Sequence, residues 1–356
     1  MSIKKIVLTG GPCAGKTTAL IKIKEHLENK GYNVILVNES ATELINSGIK
    51  PFGENAIENY EFQKIILNYQ LQKENLFENI KFQNNQDTII VYDRGTIDNK
   101  AYLNNDKFNL LLNETGLNEI SLLEHYDLII HLVTAANGAE KFYTLANNSA
   151  RTETIEEARE KDLKTQTSWL GHDDLKIISN DSNFDTKIQK TINYIDYVLQ
   201  DKIIKEQKKY LLEDKFVEKL LDKIENKKIL LNQHYILEDN NIYRLREKIL
   251  NKHSSYSISN ETLIGNGSKI ISDLNNISEK NYEIIKNNNQ DKIRTLSKLR
   301  YYFIYYNQYL KLDKLQDGRY ILESDYLDDL STMNLPIKED VTNKDEYYGF
   351  QLSKKL

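Results

Sequence analysis

The chain has one cysteine, three prolines, one tryptophan and no long uninterrupted apolar run. With Cys13 alone, an internal disulfide is excluded, and the cytosol is the expected compartment. Lys4 and Lys5 precede an apolar stretch of only a few residues, too short for a signal-peptide core or a membrane span. The net charge of -5 argues against general nucleic-acid binding through bulk charge. Proline is scarce while Asn, Ile, Lys and Tyr are abundant, a bias we assign to genome composition, so counting lysines carries little weight. What remains is a globular balance, 40% hydrophobic and 28% charged over 356 residues, a length that predicts about two domains.

The stretch Gly10-Gly11-Pro12-Cys13-Ala14-Gly15-Lys16-Thr17-Thr18 has the spacing of a phosphate-binding loop. It follows an apolar strand pattern at residues 6–9 and precedes a helical pattern at 18–29. A triphosphate needs several backbone N–H groups converging on it, and glycine allows the tight turn that supplies them. Lys16 is expected on the β- and γ-phosphates and Thr17 on Mg²⁺, and the N-terminus of the following helix adds a dipole favourable to the phosphates.

Strand and helix patterns alternate onward, which predicts a doubly wound parallel sheet. A strand at 33–38 ends in Glu39, a candidate base or positioner of an acceptor; an acid complementing the next helix is the plainer reading. A long helix is expected over 55–83, then a buried strand at 88–92 ending in Asp93-Arg94-Gly95. Asp93 is the expected metal-side acid, and Arg94 either clamps a phosphate or an acidic substrate, or pairs with a neighbouring acid. After a strand at 127–132, the polar helical segment 143–169 reads as a lid with Arg151 reaching the γ-phosphate, or as a solvated face of ion pairs, the role favoured for Arg159. His131 and His172 read as packing residues. A last strand at 177–180 places Asn180 where a purine base could sit, without choosing ATP over GTP.

Phe142-Tyr143, Asn147-Asn148, Arg151, Glu153 and Trp169-Leu170-Gly171-His172, with Asp93-Arg94-Gly95, resemble the P-loop ATPase/kinase-like group that includes NadR-type proteins. Within it, they are most similar to the N-terminal domain of the TRPL-translocation-defect family, over about residues 1–200.

Beyond a boundary near 199–202, strand patterns dominate, with a helix expected over 215–225. Arg244, Arg246 and Lys248 share one strand face, as do Lys298 and Arg300, and as do Glu323 and Asp325. Curled into a barrel with these faces inward, the strands would hold a polyphosphate or phosphorylated headgroup, with a divalent metal on the acids; a half-exposed sheet with cross-strand ion pairs fits the spacing equally.

Tyr243-Arg244-Leu245-Arg246, Lys298-Leu299-Arg300, Asn307-Gln308-Tyr309, Leu312-Asp313, Ile321-Leu322-Glu323 and Asp340-Val341-Thr342 resemble a CYTH domain, the antiparallel triphosphate-tunnel fold, over about 201–356, again as in the TRPL-translocation-defect family. The enzymatic members open with Glu-x-Glu-x-Lys; here Lys205-Glu206-Gln207-Lys208-Lys209 keeps only Lys209, and the segment 257–269 shows no clear strand. The resemblance implies binding of GTP or another purine nucleotide by the first half, and of phosphoinositide or a phosphorylated small ligand by the second. Three functions follow as expectations: a nucleotide-dependent switch or slow NTPase with Mg²⁺, a small-molecule or nucleoside kinase, and a CYTH triphosphatase regulated by the P-loop domain. Membrane contact is expected to be peripheral at most.

Overall fold

A computed structural model describes residues 2–143, 154–200, 203–238, 241–265, 268–325, 330 and 333–353, without the side chains of 203–207, 268 and 273. It divides into two units, Met1–Leu199 and Gln200–Leu356.

The first unit runs β1 (Ile3–Gly10), α1 (Lys16–Asn29), β2 (Asn33–Val37), α2 (Ser40–Asn46), α3 (Asn59–Glu78), β3 (Thr88–Asp93), α4 (Asn105–Thr115), α5 (Glu119–Leu123), β4 (Leu128–Leu132), α6 (Ile155–Ser168), β5 (Leu175–Ile178) and α7 (Phe184–Val198), with a 3-10 turn at Thr96–Tyr102. The strands lie parallel in the order β2-β3-β1-β4-β5. β4 is buried along its whole length and β3 along all but its last residue, the pattern of strands covered on both faces. Ile23 and Leu27 of α1, with Ile188, Ile192 and Ile195 of α7, pack with Ile6, Leu8, Val91 and Ile130. Tyr92, Tyr126 and Trp169 form a second cluster of edge-to-face rings, with centroids 5.6 and 5.7 Å apart.

α3 is shorter at both ends than the expected 55–83. Ile80 and Phe82 beyond it stay exposed, and Asn79, the last residue before the irregular segment, bonds back to the Asn75 carbonyl at 2.7 Å. The helical part of 143–169 is α6, which starts at a capping box: Thr154 Oγ1 accepts from the Glu157 N–H at 3.2 Å, and the Thr154 N–H donates to Glu157 Oε2 at 2.8 Å.

The second unit contains β6 (Ile203–Leu212), α8 (Asp214–Leu221), β7 (Asn226–Glu238), β8 (Asn241–Leu250), β9 (His253–Gly265), β10 (Ser268–Ile277), α9 (Glu279–Asn288), β11 (Arg294–Tyr305), β12 (Gln308–Leu315), β13 (Tyr320–Asp325), β14 (Ile337–Asp340) and α10 (Gly349–Leu352). The order is β10-β9-β8-β7-β11-β12-β13-β6-β14, and β10 also pairs with β6, so eight antiparallel strands close on themselves. Closure pairs β10 with β6, the edges an open eight-stranded sheet would expose, and β14 adds along β6. The expected helix 215–225 stops at Leu221, where the Asn226 amide bonds the Leu221 and Ile224 carbonyls at 2.9 and 3.1 Å. The segment 257–269 belongs to the β9–β10 hairpin.

Alternation sorts the barrel's side chains. Leu245 and Ile236 pack outward on Tyr282 of α9; Phe303, Leu310 and Leu322 pack outward with Val217 and Leu220 of α8. On the opposite face Leu211, Tyr235, Leu296, Leu315 and Ile321 pack with Tyr347, Phe350 and Leu352, which fill part of the bore.

Gly10, where β1 turns into the loop, has no room for a side chain: a Cβ there would lie 2.3 Å from the Leu132 carbonyl oxygen. Gly10→Ala should destabilise the first unit by roughly 1–3 kcal/mol. Urea unfolding checks this, and an unchanged midpoint would show that the β1 end yields.

Candidate functional site

The phosphate loop has the geometry its spacing predicts. α1 begins directly after Gly15, which takes a left-handed φ of 87°, and Cys13 also has positive φ, 55°. Three consecutive carbonyls accept from outside the loop: Pro12 from Thr134 Oγ1, Cys13 from the Ala135 N–H at 3.4 Å, and Ala14 from Lys187 Nζ at 3.5 Å. In a trans peptide the N–H points opposite to the C=O. The N–H groups of Cys13, Ala14 and Gly15 are therefore turned to the other side, as an anion cradle requires.

Two residues that the sequence reading did not single out hold this loop. Asp162, on α6 and 2% exposed, accepts at Oδ1 from the Gly11 N–H (2.8 Å), His131 Nε2 (2.9 Å) and the Thr134 N–H (3.1 Å), and at Oδ2 from Gln166 (2.8 Å). Gly11 is glycine because a Cβ would sit 2.5 Å from Asp162 Oδ1. Burial raises the Asp162 carboxyl, but His131 and these donors outweigh it and leave it below the usual range. Lys187, buried at the start of α7, donates to the Val133 carbonyl and to Asn180 Oδ1, both at 2.7 Å; burial pushes it down to about 8. His131 and His172 are both buried and hydrogen-bonded within the fold.

Beside Lys16 the fold assembles Glu39, Asp93, Arg94 and Asp98. Burial lowers the Lys16 ammonium, and Arg94 lowers it further, against the carboxylates of Asp93, Glu39 and Asp98. Asp98 is fixed by Thr9 Oγ1 (2.8 Å), Trp169 Nε1 (2.9 Å) and the Gly95 N–H (2.9 Å). Arg94 takes the left-handed φ of 74°, unusual for a bulky residue, and its carbonyl is held by Gln70 at 3.0 Å. Its Nε donates to Glu39 Oε1 at 2.7 Å, so the expected pairing with a neighbouring acid is present. Burial raises Glu39, but Arg94 and Lys16 outweigh it and bring it to about 2; at neutral pH it is a fixed charge and a poor proton acceptor.

Two buried atoms of this cluster have no hydrogen-bond partner among the described residues: Asp93 Oδ1 and Arg94 Nη1. Burial, ahead of every charge nearby, raises the Asp93 carboxyl. A buried carboxylate oxygen without a donor among the described residues, on an acid that acts on Lys16, the chain neighbour of the exposed Thr17, is chemistry that fits Mg²⁺, a cation of oxygen ligands.

Asn180 has both ends of its amide committed, its NH₂ to the Thr134 and Asn137 carbonyls at 2.7 Å and its oxygen to Lys187; the structure places it as a brace of the loop after β4. Arg159 bonds the Ala136 carbonyl (2.7 Å) and Glu140 (2.9 Å). Arg151 lies outside the described residues. Among the described residues, Glu74, Glu78 and His125 have metal-ligand atoms within 4.8 Å of one another. Burial lowers His125, yet its bonds to Glu74 and Glu78 raise it to about 9, and Lys5 reaches Glu78 at 3.3 Å, so this group balances its own charge.

In the second unit the inward faces carry charge. Arg244, Lys248, Lys298, Arg300 and Lys311 are buried, and Lys209 and Lys269 nearly so. Among the described residues the buried carboxylates facing them are Glu261, Asp313 and Glu323. Glu261 Oε1 accepts from Arg244 (2.8 Å) and Lys269 (2.9 Å); Asp313 accepts from Lys298 (2.5 Å) and twice from Arg300 (2.7 and 2.6 Å); Glu323 accepts from Arg300 (2.5 Å) with Lys209 at 3.8 Å. Arg246 shares the Arg244 face and is half-buried, and Asp325 ends β13. The even choice between half-exposed sheet and closed bore is thereby resolved for the bore, with cross-strand ion pairs inside it. Burial pushes Lys269 down to about 7 despite Glu261, and Glu261, raised by burial, is brought to about 2 by Arg244 and Lys269.

Glu39 and Glu261 both titrate below their ordinary 4.5 in the folded chain. Such depressed carboxylates add stability that is full above about pH 4.5 and is lost as pH falls towards 2, on the order of 3 kcal/mol each. Urea unfolding between about pH 5 and 2 should lose stability more gently in Glu39→Gln than in wild type; parallel curves would refute the assignment.

The family described as AAA domain matches residues 5–201. No curated protein matches. Among solved structures, NE1496 is similar in two determinations, one described as a hypothetical protein and one as an inorganic triphosphatase. They are 18% and 17% identical, cover 41% of this chain and 95% and 92% of their own, and each has a TM-score of 0.30. The PH1819 protein from Pyrococcus horikoshii OT3 is 14% identical over 35% of this chain and 78% of its own, with a TM-score of 0.28. Likeness this slight carries no argument about activity, and the barrel is read from its own strand register. The domain match spans more than half of the chain and begins on the strand that leads into the phosphate loop; the chain belongs to the AAA domain family.

Proposed function

We propose that the first unit binds a purine nucleoside triphosphate, GTP or ATP, with Mg²⁺, and works as a switch or slow NTPase. The carrying observation is the pair of buried atoms without partners among the described residues, Asp93 Oδ1 and Arg94 Nη1, beside Lys16 of the N–H-lined loop. In this reading the loop N–H groups and Lys16 bind the phosphates, Thr17 and Asp93 hold Mg²⁺, and Arg94 meets developing negative charge. The bound metal supplies neutralisation of the β- and γ-phosphate oxygens. Arg151, outside the described residues, keeps in this proposal its expected role on the γ-phosphate. Asn180 acts on the base only through the loop it braces.

The barrel, in the same proposal, binds a ligand with clustered phosphates, a polyphosphate or a phosphoinositide-like headgroup, through Lys209, Arg244, Arg246, Lys298 and Arg300. Its affinity depends on the nucleotide state of the first unit only if the two states bind the ligand differently. No described helix is long and apolar enough to cross a membrane, and lipid contact is proposed as peripheral to a cytoplasmic protein.

A kinase is the second reading, favoured by one observation: Glu39 is held ionised between Arg94 and Thr42, suited to orient an acceptor hydroxyl near Lys16. Turnover in the barrel is a third, disfavoured because Lys205 and Gln207 stand where the resembled triphosphatases carry glutamates.

Calorimetric titration with Mg²⁺-GTPγS and Mg²⁺-ATPγS tests the main reading. Lys16→Ala should lower any NTP hydrolysis by about 10²–10³-fold. Asp93→Asn should remove its Mg²⁺ dependence. Binding of neither nucleotide to the wild type sinks the switch and kinase readings together, while transfer of the γ-phosphate to a nucleoside selects the kinase. Asp162→Ala should weaken nucleotide binding although Asp162 touches no ligand in this account; unchanged affinity would show that the loop keeps its shape without it.

A further inference from the structure

We propose that the barrel takes its phosphate-rich ligand without a divalent metal, its own lysines and arginines providing the countercharge; this rests on reading the bore as an anion site. The tunnel resemblance implies a metal held by the bore's acids, and the structure tests whether those acids are suited to hold one. The buried ones among the described residues, Asp313, Glu323 and Glu261, are engaged elsewhere. Both oxygens of Asp313 accept charge-assisted bonds, three in all, from Lys298 and Arg300. Glu323 accepts from Arg300, with Lys209 beside it, and Lys311 stands opposite it in the strand register. Glu261 Oε1 is shared by Arg244 and Lys269, which flank it from β8 and β10.

A divalent cation binds through carboxylate oxygens, and it would have to displace these cations one by one inside a low-dielectric cavity. It would also enter among seven basic side chains, each repelling it. A polyphosphate meets the opposite situation. Among the described residues the bore holds seven buried or nearly buried basic side chains against three buried carboxylates, and an anion relieves that excess. The carboxylates then act as internal counterions, holding the lysines and arginines in place and competing with the ligand for them.

The experiment uses the full chain carrying Lys16→Ala, which removes the phosphate-loop anion site while leaving the barrel intact. Tripolyphosphate is titrated calorimetrically in EDTA and in excess Mg²⁺. In a parallel arm, flotation measures binding to phosphatidylcholine vesicles containing a phosphatidylinositol bisphosphate, under the same two conditions. Binding in either arm that is as tight in EDTA as in Mg²⁺, within about twofold, or tighter because Mg²⁺ sequesters the phosphate, supports the proposal. Binding that weakens about tenfold or more in EDTA and returns with Mg²⁺ overturns it. A second variant gives an opposite-sign readout: Glu261→Gln should raise tripolyphosphate affinity in EDTA if Glu261 is a competing counterion, whereas a metal ligand lost at that position would lower affinity in Mg²⁺. Absence of binding in both arms and both conditions overturns the anion-site reading itself, and the inference with it.

Discussion

A charged group removed from water must be met by an opposite charge, by hydrogen bonds or by a ligand, and both units are arranged around that requirement. In the first, Lys16, Arg94, Glu39, Asp93 and Asp98 share one buried region at the carboxyl ends of β1, β2 and β3. Most of their bonding capacity is met: Glu39 by Arg94 and Thr42, Asp98 by Thr9, Trp169 and Gly95. What remains unmet among the described residues is one oxygen of Asp93 and one nitrogen of Arg94, the two atoms on which the proposed ligand site rests. Protein groups left unpaired in this way are costly unless something else pairs them.

The barrel answers the same requirement differently. Its buried acids among the described residues, Glu261, Asp313 and Glu323, are each already bound by a basic side chain. The residual charge is positive, and the aromatic and aliphatic packing of Tyr347, Phe350 and Leu352 takes up part of the bore, so the charged faces are confined to the remainder. Lys209 illustrates the confinement: its Nζ donates to the Tyr347 carbonyl at 3.0 Å and lies over the Tyr348 ring.

Some of this was legible in the chain and some was not. The phosphate loop was, because its glycines answer to local geometry: Gly15 to a left-handed turn, Gly10 to the close approach of Leu132. The parallel sheet was legible in its continuous apolar runs. Asp162 was not, since its bond to Gly11 spans 151 positions and no local pattern marks it; its spacing to Gln166 within a polar helix looks like any solvated face. Lys187 was hidden for the same reason. The β9–β10 hairpin escaped because its inward positions, Ser257, Ser259 and Glu261, line a charged bore and so lack the apolar alternation that marks a strand facing a core. For the same reason the pairing of the barrel's acids with Arg244, Lys298 and Arg300 required the strand register, which same-strand spacing does not contain.

The two proposed anion sites, one for nucleotide and one for a phosphate-rich ligand, are separate and so can be removed one at a time. The most direct measurement is a calorimetric set: Mg²⁺-GTPγS and Mg²⁺-ATPγS into the wild type and Arg244→Ala, and tripolyphosphate into Lys16→Ala and Lys16→Ala/Arg244→Ala. The account predicts that a nucleotide binds equally to the first two proteins, and that tripolyphosphate binds Lys16→Ala but not the double variant. Loss of nucleotide binding in a folded Arg244→Ala, or tripolyphosphate binding abolished by Lys16→Ala alone, would contradict it.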